Sequence, residues 1–111
     1  MAPKVMTPAL LDQLAERFKA LGEPARLQLL SALRQREQTV SQLVQSTGLG
    51  QANVSKHLQL LCSAGFIARR RAGIFAFYTL ADDGVFALCD LMCGRIERSH
   101  REQRAALKLA R

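Results

Sequence analysis

No apolar run in the sequence exceeds a few residues, which excludes a membrane-spanning helix of the roughly 20 residues a bilayer requires. Residues 1–7 hold one lysine and no apolar stretch of signal-peptide length, so the expected location is the cytoplasm. Cysteine is scarce, and three residues, an odd number, do not make a disulfide scaffold in a reducing compartment. Internal repeats, low-complexity tracts and Pro/Gly-rich linkers are absent. Acidic residues are in short supply: nine Asp and Glu face sixteen Lys and Arg, for a net charge of +7. Such an excess suits a polyanionic partner, either nucleic acid or an anionic membrane surface. Also missing are a nucleophile elbow, a phosphate-binding glycine loop and a His-Glu-x-x-His metal motif. The two histidines have no recognisable catalytic partner, and no enzyme is expected.

What is present fits one compact domain. The chain has 111 residues, 49% of them hydrophobic, enough for a core, although a monomer of this size buries a limited share of its surface. Residues 1–7 read as a loose tail and residues 8–109 as the domain. From Pro8, the residues Leu10, Leu11, Leu14, Phe18 and Leu21 fall on one helical face that Gly22 ends, with the proline suited to a first turn. Pro24 opens a second helix carrying Leu27, Leu30 and Leu33 to about Gln35. Thr39 and Gln42 have the spacing of a capping box, and start a short third helix with Leu43 and Val44 inward and Gly48 as its stop.

The turn Gly48-Leu49-Gly50 is short and glycine-bearing, as a helix-turn-helix corner requires. A fourth helix follows from Gln51, with Val54, Leu58 and Leu61 at i, i+4 and i+7, and Gly65 ends it. The period then changes. Phe66–Arg71 and Ile74–Leu80 are β-prone runs joined by Ala72-Gly73, which reads as a hairpin. Helical spacing returns near Asp82 with Val85, Leu88, Cys89, Met92 and Ile96, followed by a charged continuation to about Leu109. The expected fold is α+β and mostly helical: four helices, a β-hairpin wing and a long final helix, with a winged helix-turn-helix at the centre.

Chemistry concentrates in residues 40–61. Val54, Leu58 and Leu61 hold the fourth helix to the body, while Gln51, Asn53, Ser55, Lys56 and Gln59 lie on its other faces. Short polar and amide side chains with one cation suit base-edge hydrogen bonding in a major groove, which an α-helix fits by width. The same pattern serves as the solvated face of any surface helix. The hairpin favours the nucleic-acid reading, because Arg69, Arg70 and Arg71 run consecutively into its turn. Alternation sends at most two of them to one face, where they would reach phosphates or a minor groove. His57, beside Lys56, is either a DNA contact or a packing residue. His100, three residues from Glu97, reads as surface.

At this point a resemblance becomes specific. ALGEPARLQLLSAL (residues 20–33) followed by VSKHLQLLCSAGFIARRRAGIFAFYTL (residues 54–80) resembles the ArsR/SmtB family of metalloregulatory repressors over about residues 8–100. The resemblance implies a homodimer paired through the first and last helices, bound to double-stranded operator DNA and released by a small inducer, with no cofactor required. It leaves the inducer open. Family members with a Cys-Val-Cys in the third helix would need cysteines at Thr39 and Ser41. The zinc-type site across the final helices keeps only Asp82, its other positions falling near Gly84, Arg95 and Arg98. A reactive-sulfur cysteine in the second helix would fall near Ser31. What remains is Cys62, Cys89 and Cys93. Cys89 and Cys93 are four apart and share a helical face. With Cys62 or a thiol of the partner subunit they would hold arsenite or another soft metal ion. Two alternatives stand beside this: a thiol redox or reactive-sulfur switch, and a constitutive regulator whose cysteines merely pack.

Overall fold

The computed structural model describes residues 5–109; residues 1–4 of the expected tail lie outside the described residues, and residues 5–7 have no regular structure. Eight elements follow in chain order: α1 (Pro8–Leu21), α2 (Pro24–Gln35), β1 (Gln38–Thr39), α3 (Val40–Thr47), α4 (Gln51–Ser63), β2 (Ile67–Ala72), β3 (Phe75–Leu80) and α5 (Val85–Leu109). The expected winged helix-turn-helix is present: α3, a tight turn and α4, then a hairpin and a long closing helix.

The helix ends follow local chemistry. The Thr7 hydroxyl accepts from the Leu10 amide at 3.2 Å ahead of Pro8. Thr39 and Gln42 form the expected capping box, the Gln42 amide donating to Thr39 Oγ1 at 3.2 Å and the Thr39 amide to Gln42 Oε1 at 2.9 Å. Gly48 closes α3 with φ +74°, a left-handed conformation that a side chain would strain.

The core is aliphatic and central. Leu29, Leu30 and Leu33 of α2, Leu43 of α3, and Val54, Leu58 and Leu61 of α4 are buried together with Phe66, Ile67, Val85 and Phe86. Leu29 takes the inward place expected of Leu27, which is exposed. The terminal helices stand apart from this core. No residue of α1 is buried, and beyond Val85 and Phe86 the apolar face of α5 lies largely open, with Cys89 half-buried.

Three boundaries differ from expectation. Gln38–Thr39 forms a short strand that pairs antiparallel with β3, making a sheet of order β1-β3-β2. The buried Gln38 side chain fixes this strand, donating to the Ala32 carbonyl at 2.8 Å and accepting from the Ser46 hydroxyl at 2.8 Å. The hairpin turn is Gly73-Ile74 rather than Ala72-Gly73, since Ala72 pairs with Phe75. Finally, α5 begins at Val85, because Asp82 Oδ1 accepts from the Gly84 amide at 2.9 Å and holds a turn ahead of the helix.

Candidate nucleic-acid interface

The fourth helix is sharply two-sided. Val54, Leu58 and Leu61 are fully buried, and Gln51, Asn53, Ser55, Lys56 and Gln59 are all exposed. The turn before it is held rigidly. Thr47 Oγ1 donates to the Leu43 carbonyl at 2.6 Å and accepts from the Leu49 amide at 3.3 Å. Gln28 reaches across from α2 to the Thr47 carbonyl at 3.0 Å. A helix so anchored on one side presents its outer face in a fixed orientation, which base recognition in a groove requires.

His57 stands apart from that set. It is half-buried, and its Nδ1 lies 3.3 Å from a guanidinium nitrogen of Arg26. Arg26 also donates to the Ala20 carbonyl at 2.6 Å and the Lys19 carbonyl at 3.1 Å, at the end of α1. An arginine has no acceptor, so this contact makes Nδ1 the accepting nitrogen and puts the ring proton on Nε2. Arg26 thereby ties α1 to the polar helix. Sequence reading missed this role, and the only signal available was an arginine near the start of α2.

The hairpin divides the three arginines by strand alternation. Ile67 is buried and shares a face of β2 with Arg69 and Arg71, so these two look toward the side on which α4 packs. Arg70 points the other way, lies over the Phe77 ring at 5.0 Å and pairs with Glu37 in a two-pronged contact, with Nε to Oε2 at 3.1 Å. The wing therefore offers two free-facing cations beside α4 and uses the third to brace the sheet.

The hydrogen bond from Arg70 lowers the Glu37 carboxyl below its ordinary value; burial raises it, and the arginine charge lowers it further. The pair thus stabilises the fold at pH above the unfolded carboxylate value, and the contribution is lost as pH falls through the lower folded value. Glu37→Gln should accordingly flatten the acid side of the thermal stability profile. The effect will be small, because both side chains are substantially exposed. Coincident melting profiles for the two proteins through the carboxylate range would remove the pair from the stability balance.

The cysteines occupy three different environments. Cys62 is half-buried near the end of α4, and burial pushes its thiol up against the pull of Arg69. Cys89 is half-buried against the core, and Cys93, one turn further along α5, is exposed. Among the described residues, no three His, Cys, Asp or Glu side chains gather into a metal-holding group. No described helix is long and apolar enough to cross a membrane.

Residues 23–69 match the family described as bacterial regulatory protein, arsR family. A transcriptional repressor SmtB homolog of Synechocystis sp. is 35% identical over 97 residues, covering 87% of this chain and 74% of that protein. A probable mercury resistance operon repressor of Streptomyces lividans is 36% identical over 74 residues, 67% of this chain and 59% of the relative's length. Among solved structures, the homodimeric winged helix-turn-helix DNA-binding domain of Mb0332 from Mycobacterium bovis, a possible ArsR-family transcriptional regulator, superposes with a TM-score of 0.72. It is 36% identical, with 87% of this chain and 91% of that one covered.

Proposed function

Because the chain belongs to the ArsR/SmtB family of bacterial transcriptional regulators, we propose that it represses transcription as a homodimer, reading operator DNA with α4 and leaving it when an inducer binds thiols on α5. The protein is a regulator with a DNA-binding fold, not an enzyme. The observation that carries the reading is the division of α4: three fully buried aliphatic residues behind an exposed row of Gln51, Asn53, Ser55, Lys56 and Gln59. Gln51 and Asn53, in the first turn, carry the amides that pair with an adenine edge. Lys56, Arg69 and Arg71 supply positive charge for phosphates. His57 serves the joint with Arg26 rather than the DNA.

The open apolar faces of α1 and α5 supply the dimer contact, in keeping with the homodimeric state of the Mycobacterium bovis relative. Pairing places two copies of α4 on one face, as successive half-sites about 34 Å apart demand. Cys89 and Cys93 lie within that contact, one helical turn apart. Two soft thiolates there begin a site for arsenite or a thiophilic metal ion, and the partner subunit supplies the rest. The raised Cys62 thiol favours packing over ligation. An inducer that binds one arrangement of the two heads more tightly shifts the operator equilibrium, with typical couplings of ~1–3 kcal/mol.

Operator titrations test both halves of this reading. Lys56→Ala should weaken binding to every duplex and reduce the log–log salt slope by roughly 1.8, about 0.9 for the lysine of each subunit. Gln51→Ala should instead relax base preference by about 1–3 kcal/mol at one position. If both variants bind like the native protein, α4 is not the reading helix. Adding arsenite, Cd(II), Zn(II) or a mild oxidant to the reduced complex should release the DNA with one of them. Release should survive Cys62→Ser and fail in Cys89→Ser or Cys93→Ser. Binding untouched by every agent would leave the thiols structural.

A further inference from the structure

The wing ends in an apolar point that neither the turn nor the core explains. Ile74 is 91% exposed and Phe75 beside it is 57% exposed. Gly73 takes φ +64°, and no non-glycine residue described has a positive φ, so the two-residue turn is of type II′. Its second position accepts polar residues readily, and nothing in that geometry asks for isoleucine. The core asks for it no more. The six-residue strand β2 carries the turn about 20 Å beyond the buried Ile67, at some 3.3 Å per residue. Phe75 backs the tip, its ring tilted against Phe77 at 6.5 Å.

The charge around this point names its partner. Arg69 and Arg71 lie on the face of the hairpin turned toward α4, and Arg70 is held on the other face by Glu37. A bare apolar tip beside two arginines, next to a helix placed for the major groove, has the chemistry of a minor-groove reader. There arginine is drawn to the negative potential of the groove, and an isoleucine, leucine or phenylalanine wedges between base pairs. The minor groove is about 6 Å wide, so it is the exposed side chain at the end of the turn, not the two-stranded ribbon, that enters it.

We propose that Ile74 enters the minor groove beside the α4 contact as an apolar wedge that partly unstacks one base step and bends the operator. The inference rests on the reading of α4 as the DNA-binding helix and adds a determinant that makes no base hydrogen bond. Pyrimidine–purine steps unstack most easily, so the wedge selects TA or CA at the step beneath the wing.

The test uses the full-length protein and a duplex recovered by in vitro selection with it. The duplex carries 2-aminopurine at each step of the wing footprint in turn, and a dye pair at its ends. Native protein should raise 2-aminopurine fluorescence at one step in each half-site, shorten the end-to-end distance and discriminate TA from AA there. Ile74→Leu should keep all three responses. Ile74→Ser, at a position that contributes nothing to the core, should lose all three while retaining the α4 footprint and the salt slope. The proposal is overturned if bound native protein leaves every step stacked, or if Ile74→Ser still unstacks the DNA; the α4 reading survives both results. A serine variant that changes only the self-association of the protein would assign the tip to a protein contact and also overturn it. Failure of the native protein to select any duplex would remove the DNA-binding reading and the wedge together.

Discussion

The double substitution Met92→Glu and Ile96→Glu should leave the protein monomeric and weaken operator binding by roughly 10²–10⁴-fold, the usual gain from joining two binding modules. Leu88, Met92 and Ile96 recur every four residues along α5, and Met92 and Ile96 are each more than half exposed. Leu91 adds to the same region, and α1 contributes Leu11 and Phe18 from a helix with no buried residue at all. Large exposed apolar patches mark interaction surfaces, and these side chains would form one if the two helices met in a dimer. Fully burying one such side chain is worth about 1.5–3 kcal/mol, so burying several of them in the proposed contact would dominate the association equilibrium. Two carboxylates placed in that contact from each subunit would have to be desolvated beside one another. Neither position belongs to the core formed by α2, α3 and α4, so each head should remain folded. Sedimentation velocity, circular dichroism and DNA anisotropy on the same samples separate these effects. A dimer that survives both charges would move the interface elsewhere. A monomer with undiminished affinity would remove the need for two heads.

The parts of this molecule that could be read from sequence are those whose signals are local. Thr39 and Gln42 are three residues apart and cap their helix as that spacing requires. The buried and exposed sides of α4 follow from positions within a single 13-residue helix. What escaped reading depends on distant partners or on elements too short to show a period. A strand of two residues, Gln38–Thr39, has no alternation to detect, and it exists because β3 lies beside it. Alternation limits how many of three consecutive arginines share a face but does not identify them. Arg70 is set aside by Glu37, 33 positions earlier in the chain. His57 is decided in the same way by Arg26. A glycine within the hairpin fits either of two adjacent turn registers, and the pairing of Ala72 with Phe75 selects between them. Periodicity also says that Leu11 and Phe18 share a helical face without saying what covers it, and among the described residues both side chains stay about half exposed.

Leu58→Ala should be among the most damaging single truncations, destabilising the fold by about 2–5 kcal/mol, although the side chain faces away from any DNA. Leu58 is fully buried at the middle of the inner face of α4, in the cluster that joins Leu29, Leu30 and Leu33 of α2 to Leu43 of α3. Removing it leaves a cavity that the neighbouring helices fill only in part, because the flanking contacts of Val54 and Leu61 fix the helix at both ends. Total stability in domains of this size is about 5–15 kcal/mol, and each kcal/mol moves the melting midpoint by roughly 4–8 °C. The midpoint should therefore fall by roughly 8–40 °C on that scale. Leu60→Ala is the internal control. It makes the same chemical change two residues away, at a position 43% exposed, where the loss should be a fraction of the Leu58 value. Melting must be compared at one protomer concentration, since association contributes to apparent stability. Operator affinity well below the midpoint then carries the second reading. A loss for Leu58→Ala under conditions where the variant is fully folded would mean that the buried face of α4 sets the aim of Gln51 and Asn53. Equal shifts in midpoint for the two leucines would show that the two faces of α4 are not distinguished in solution, and the assignment of its outer face to DNA would lose its basis.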